Sequence, residues 1–253
     1  MAVIVVGGVA GSLLLGDGDA GGGSSTKASA GAPHSATASA SGGVAEKPTV
    51  PGWKVVVNPE WGTAFDVPPD WDVRSPGLLL GFDDPKADDG GPESGGKFLI
   101  AMSAPAIYRD NLCLSDTDKD GRVESTALAV AGTKGAKGAK GTGDAALRQA
   151  RAWVYAGYTQ PDRKSIVSGR TAKPYTTRSG VEGSIAWARS ENTPQKDKCA
   201  TDGKAVAFGF RNSAGGLVAW CLFGARGVKG ELPDSTVMKI LSTVRLHGKP
   251  TES

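Results

Sequence analysis

The chain has 253 residues, of which 29 are basic and 26 acidic, for a formal net charge of +3. So mild a charge excludes the strongly basic footprint of a nucleic-acid binder, and no nucleic-acid partner is expected. The only two histidines are His34 and His247, one in an N-terminal tether and one in the tail. Ser-His-Asp, Cys-His and His-ligated zinc chemistry all need an imidazole inside the fold, so none of them is expected.

Residues 1–15 read MAVIVVGGVAGSLLL, without a charge. A spanning helix needs about 20 apolar residues and a signal peptide a basic leader. The run satisfies neither alone, and an upstream basic segment is expected to complete it. Gly7, Gly8 and Gly11 make it a poor soluble helix. The expectation is a transmembrane anchor, with a cleaved signal or a buried core helix as alternatives. Residues 16–51 are dominated by Gly, Ala, Ser and Thr, with no aromatic residue. That composition cannot bury enough surface to offset its ordering entropy and reads as a disordered linker, spanning roughly 30–35 Å as a coil. One domain is expected over 52–253, carrying 27 basic against 23 acidic residues.

Within it, 53–57 (WKVVV) and 63–67 read as strands separated by Asn58-Pro59. Residues 78–82 and 97–103 (KFLIAMS) read likewise, with the acidic, Gly- and Pro-rich 83–96 as a loop between them. Residues 122–131 alternate as another strand. Thr142 or Gly143 then caps a helix to about Gly157, with Ala146, Ala150, Trp153, Val154 and Gly157 on its apolar face. Short strands are expected at 165–168 and 173–177, and a firmer one at 183–190. Residues 204–211 and 216–223 form a hairpin around Asn212-Ser213-Ala214-Gly215. Pro233-Asp234 opens a last helix with the stripe Val237, Ile240, Leu241, Val244. Runs of strands with two helices predict an α+β fold, a mostly antiparallel sheet covered by about two main helices. No Gly-rich phosphate loop follows a strand.

Three cysteines occur, Cys113, Cys199 and Cys221. In the hairpin Cys221 should face Val206 or Ala207, which leaves Cys199 some 23 Å down the partner strand at about 3.3 Å per residue. A disulfide needs α-carbons within about 7 Å, so Cys199 with Cys221 is disfavoured unless the chain doubles back. Cys113 and Cys199 both lie in polar loops and are free to meet, the favoured pairing in an oxidising exterior. Cys221, in LVAWCLFGA, reads as a small buried hydrophobe.

At WGTAFDVPPDWDV (61–73), KGAKG (134–138), the helix with its AW (152–153), CATDGKA (199–205) and LVAWCLFGARGVKG (217–230), the chain resembles a known family. It is similar to the extracytoplasmic domains of unknown function on tethered or secreted proteins of Streptomyces-type actinobacteria. These are broadly like PsbP-like and LpqN-like α/β/α sandwiches. The resemblance covers about 50–247 and implies no activity. It implies a cysteine before KGAKG paired with one before DGKA, here Cys113 with Cys199. Cys221 departs from the aliphatic residue usual there.

The sharpest motif is Asp116-Thr117-Asp118-Lys119-Asp120-Gly121. Oxygen ligands at Asp116, Asp118 and Asp120, Gly at position 6 and Glu124 at position 9 fit a calcium loop. Position 12, normally a bidentate carboxylate, is Ala127, so any calcium site is weak and an acidic turn is the plainer reading. Lys134, Lys137 and Lys140 recur with Gly132, Gly135, Gly138 and Gly141. They read as a basic loop, or as a weak grip on teichoic acid or lipid headgroups. The six tryptophans read as core. No catalytic residue and no cofactor is expected beyond that weak calcium candidate. The function expected is a non-catalytic cell-envelope module. It would sit on the membrane by its N-terminal anchor, or be secreted, and would bind or scaffold an extracytoplasmic component. The alternative is a cell-wall hydrolase working through paired carboxylates.

Overall fold

The computed structural model describes residues 4–6, 46–83, 98–116, 124–194 and 197–251. Fifteen strands are found among them: β1 (Ile4–Val6), β2 (Lys54–Asn58), β3 (Thr63–Val67), β4 (Asp72–Val73), β5 (Leu79–Asp83), β6 (Phe98–Tyr108), β7 (Cys113–Ser115), β8 (Glu124–Thr126), β9 (Ala129–Gly135), β10 (Ile166–Ser168), β11 (Lys173–Thr176), β12 (Glu182–Ser190), β13 (Asp202–Arg211), β14 (Leu217–Arg226) and β15 (Arg245–Leu246). Two α-helices join them, α1 (Thr142–Val154), which runs on into a π-helical turn at Tyr155–Thr159, and α2 (Asp234–Leu241). Pro48–Ser253 and the β1 strand belong to one compact unit.

Ten strands make one antiparallel sheet in the order β1-β5-β6-β9-β14-β13-β12-β10, with β11 also on β12 and β4 on β6. A second sheet has the order β15-β3-β2, and β7 with β8 forms a separate ladder. Period-two alternation gives the large sheet two faces. Along β14, Ala219, Cys221, Phe223 and Ala225 enter one core, whereas Val218, Trp220 and Leu222 enter the other. The first face is lined with small residues: Ala186 and Ala188 on β12, Ala205, Ala207 and Gly209 on β13. That shallow floor lets α1 approach closely through Ala145, Ala146 and Ala150. A Cβ on Gly209 would collide with the Thr142 carbonyl, which explains glycine there. Trp153 fills the remaining depth, stacked on Phe223 at 4.7 Å.

The opposite face carries the large side chains, among them Val206, Phe208, Phe210 and Trp220. Phe65 of β3 meets Trp220 edge-on at 5.9 Å, and Val237, Ile240 and Leu241 of α2 join the same core. This face is roofed by the small sheet with a short helix beside it, not by a helical layer.

That roof overturns the expected α+β, α/β/α architecture. The described residues are 43% strand and 14% helix, so the chain is predominantly β, with several antiparallel sheets and only two α-helices. Strands β2 and β3 are expected, but nothing in the sequence sets them in a separate sheet, and β15, two residues long, is too short for periodicity. The strand expected over 122–131 is also broken, since Leu128 N–H turns aside to the carbonyls of Tyr108 and Arg109.

Of the apolar segment expected to be a helical anchor, only Ile4–Val6 falls among the described residues. It is a strand there, pairing with Leu79, Leu80 and Gly81 of β5. Among the described residues no helix is long and apolar enough to cross a membrane.

Candidate functional site

Cys113 and Cys199 form a disulfide with α-carbons 5.6 Å apart, closing 86 residues of sequence separation. Cys113 begins β7 instead of lying in a loop, so the bond ties the β7–β8 ladder to the turn before β13. Cys221 sits opposite Ala207, as the hairpin register predicts, and is a buried free thiol. Burial pushes its pKa up to about 12, so at neutral pH it is an inert thiol and a packing piece.

The aspartate motif spans the connection between β7 and β8. Asp118 and Asp120 lie outside the described residues, Asp116 follows β7, and Glu124 opens β8 in register with Ser115. Among the described residues no group of three or more His, Cys, Asp or Glu is placed to hold a metal. The three lysines of the Gly-rich stretch do not form one face. Lys134 lies inside β9, where burial lowers its pKa, while Lys137 and Lys140 are exposed in the loop before α1. Of the tryptophans, Trp71, Trp153 and Trp220 are fully buried, whereas Trp53, Trp61 and Trp187 are only half-buried.

Among the described residues, Trp187 lines a cleft that also holds a charged cluster around the nearly buried Lys204. It measures about 540 Å³ and lies on the face of β12 and β13 where β10 edges the sheet. Register builds it: Trp187 pairs with Val206 and Arg189 with Lys204, so their side chains share one face. Arg226 of β14 and Val167 of β10 complete the wall. Lys204 is nearly buried, its side chain 8% exposed. Its ammonium donates to Glu231 Oε1 at 2.7 Å, Asp234 Oδ1 at 2.6 Å and the Leu232 carbonyl at 2.6 Å. Three donors meet three acceptors, so Lys204 has no spare valence for chemistry.

The same cluster bears on carboxylate catalysis. Burial alone would raise the Glu231 carboxyl, but hydrogen bonds from Lys204 and the Gly227 N–H hold it below the ordinary value. Asp202 behaves alike: desolvation works upward and is outweighed by Thr193 Oγ1, Thr193 N–H, Ser190 Oγ and the charge of Arg226. A glycosidase acid must be held protonated near neutrality, the opposite displacement. Glu231 and Asp234 converge in a cleft as a hydrolase pair would, yet they serve as counter-ions to one lysine.

A second groove, of about 630 Å³, lies on the other side of β10, against α1. Arg148, Arg151 and Tyr155 follow one another at steps of three and four residues and so share a helical face. Sequence reading followed only the apolar stripe of this helix and passed over the basic one, although the same periodicity displays it. A third depression, about 850 Å³ in volume, is lined by Thr142, Arg211, Leu246 and the turn at Ser179 and Gly180.

No curated protein matches the chain. A crystal structure from Bacteroides thetaiotaomicron VPI-5482 matches at 10% identity and a TM-score of 0.33. The match covers 78% of this chain and 49% of that one, so the chain spans about half its length. That likeness is too loose to carry fold or function across. A family model matches residues 46–249, which begins where the described domain begins and takes in all three depressions. The chain therefore belongs to the family described as Domain of unknown function (DUF8017).

Proposed function

We propose that this chain is a non-catalytic extracytoplasmic binding module that engages a cell-envelope component through the Trp187 cleft. The observation that carries the reading is the locked state of the cleft's acid and base groups. Lys204 is saturated by Glu231 and Asp234, while Trp187 offers a half-buried ring beside Arg189 and Arg226. An aromatic surface with fixed flanking cations is recognition equipment. The hydrolase alternative needs a carboxyl raised toward neutrality, and Glu231 is held in the opposite direction.

The disulfide between Cys113 and Cys199 supports a location outside the cytosol, where such bonds persist. The sequence motifs suggest an origin in Streptomyces-type actinobacteria and a tethered or secreted parent protein. Membrane attachment through residues 1–15 requires Ile4–Val6 to leave β5, which breaks three backbone pairs at the sheet edge. Cleavage of a signal over the same residues removes β1 and loses the same pairs.

Affinity capture from envelope extract by the immobilised full chain tests the reading. A component retained by the wild type and lost on Trp187→Ala and Arg189→Gln supports it. Cleavage of envelope polysaccharide that disappears on Glu231→Gln or Asp234→Asn would establish the hydrolase instead.

A further inference from the structure

Across β10 from that cleft, α1 presents a row of guanidinium groups to the groove it forms with β10. Arg151 is held in place, Nε donating to Ser168 Oγ at 2.7 Å and Nη2 to the Gly169 carbonyl at 2.9 Å. Arg163 arrives from the turn after the π-helical segment and lies over the Tyr155 ring at 4.0 Å. Arg148 lies one turn before Arg151 and pairs with Asp144 at 2.9 Å.

The anionic side of this groove is thin. Asp144 is already committed to Arg148 Nε and the Lys140 N–H. Asp162 folds back into its own turn, accepting from Lys164 N–H, Ser165 N–H and Ser165 Oγ. Among the described residues, neither Arg151 nor Arg163 has a carboxylate partner. Two oriented guanidiniums therefore stand without counter-charge on a prearranged wall.

We propose that this groove binds a linear anion carrying repeated phosphate diesters, held by Arg148, Arg151 and Arg163. A guanidinium fork matches the two non-bridging oxygens of a phosphate diester and keeps its charge at any physiological pH. The arginines form a row: Arg148 and Arg151 are separated by about 4.5 Å of helix rise. A row suits successive phosphates along a chain better than one isolated ion. The groove, about 630 Å³, has room for a diester and its neighbouring polyol units.

Other phosphate-bearing partners fit less well. A membrane-binding face needs a broad apolar surface to insert, and the one exposed large hydrophobic residue lining this groove is Val167. Single-stranded nucleic acid needs open aromatic platforms, and the one aromatic ring here is already covered by Arg163. The groove shares the β10 wall at Val167 and Ser168 with the Trp187 cleft but none of its charged residues, so the arginine variants and Trp187→Ala test the two sites independently.

The test is fluorescence anisotropy with the oxidised full chain and a labelled poly(glycerol phosphate). Inorganic phosphate, phosphatidylglycerol vesicles and a single-stranded oligonucleotide are run alongside. Saturable binding to the polymer, weakening with salt, is expected, with inorganic phosphate far weaker. Arg148→Gln with Arg163→Gln should weaken binding about tenfold or more without moving the melting midpoint. Arg151→Gln alone should act in the same direction. The charge-matched pair Lys229→Ala with Lys249→Ala, both exposed and neither lining the groove, should leave the affinity unchanged. Absence of polymer binding at low salt would overturn the proposal. So would equal affinity in the arginine variants, inorganic phosphate binding as tightly as the polymer, or a preference for vesicles or oligonucleotide.

Discussion

Asp66 and Arg245 lie 179 positions apart and form a buried ion pair, Arg245 Nη1 donating to Asp66 Oδ1 at 2.9 Å. The second carboxylate oxygen accepts from Thr49 N–H, Thr49 Oγ1 and Val50 N–H. One aspartate on β3 thus fixes the chain entering the domain, the small sheet and the C-terminal strand. Removing one partner leaves a buried charge uncompensated. Asp66→Ala is expected to destabilise the fold by about 3–5 kcal/mol, read by urea unfolding. A loss under about 1 kcal/mol would contradict this account of the small sheet.

The disulfide gives a second measurable claim. Thiol titration of the unfolded, unreduced chain should find one reactive thiol, and three after reduction, because Cys221 is the free cysteine. In the folded chain Cys221 should not react. Loss of the bond through Cys113→Ser with Cys199→Ser is expected to lower stability by roughly 4–5 kcal/mol on the loop-entropy estimate.

Close approach of α1 to β13 makes the small residues of that face a strict requirement. Gly209→Ala places a Cβ against the Thr142 carbonyl and the Ala145 side chain, and should cost roughly 1–3 kcal/mol. Gly77→Ala, where no atom lies within 4 Å of a new Cβ, should be near neutral. Equal effects of the two changes on the melting midpoint would show that the helix does not sit where it is described.

Acid stability follows from Asp202 and Glu231. Both are held below their ordinary values of 3.8 and 4.5 in the folded state. A depressed folded pKa gives stabilisation that is present above the unfolded value and is lost as pH falls through the folded one. Wild-type stability should therefore decline below pH about 4.5, and Asp202→Asn should flatten that decline. An acid limb identical in variant and wild type would remove Asp202 from the account.

The strands were legible wherever the sequence carries a pattern of its own. Residues 63–67, closed by Pro68-Pro69, and 183–190 are strands as expected, and the turn Asn212-Ser213-Ala214-Gly215 fixes the register that places Cys221 against Ala207. What could not be read was pairing at a distance. Nothing local in Arg245 and Leu246 announces a strand, because their partners Ala64 and Thr63 are remote in sequence. Strands β2 and β3 were legible, but nothing local sets them in a sheet of their own over the large one, and a helical cover becomes the natural but mistaken expectation. The Trp187 cleft was hidden for a related reason. A tryptophan on a strand reads as core unless the limit of its cover is known, and that limit depends on how far the small sheet extends. The arginine row on α1 had a local signal, which the apolar stripe overshadowed.

Protease treatment of intact cells, followed by a non-reducing gel, tests the central claim most directly, that an oxidised binding domain stands outside the cytosol. The account predicts that external protease reaches the chain and that the domain is recovered with Cys113 and Cys199 bonded. A chain that stays whole until the cells are lysed, with thiols at 113 and 199 reduced, would contradict it.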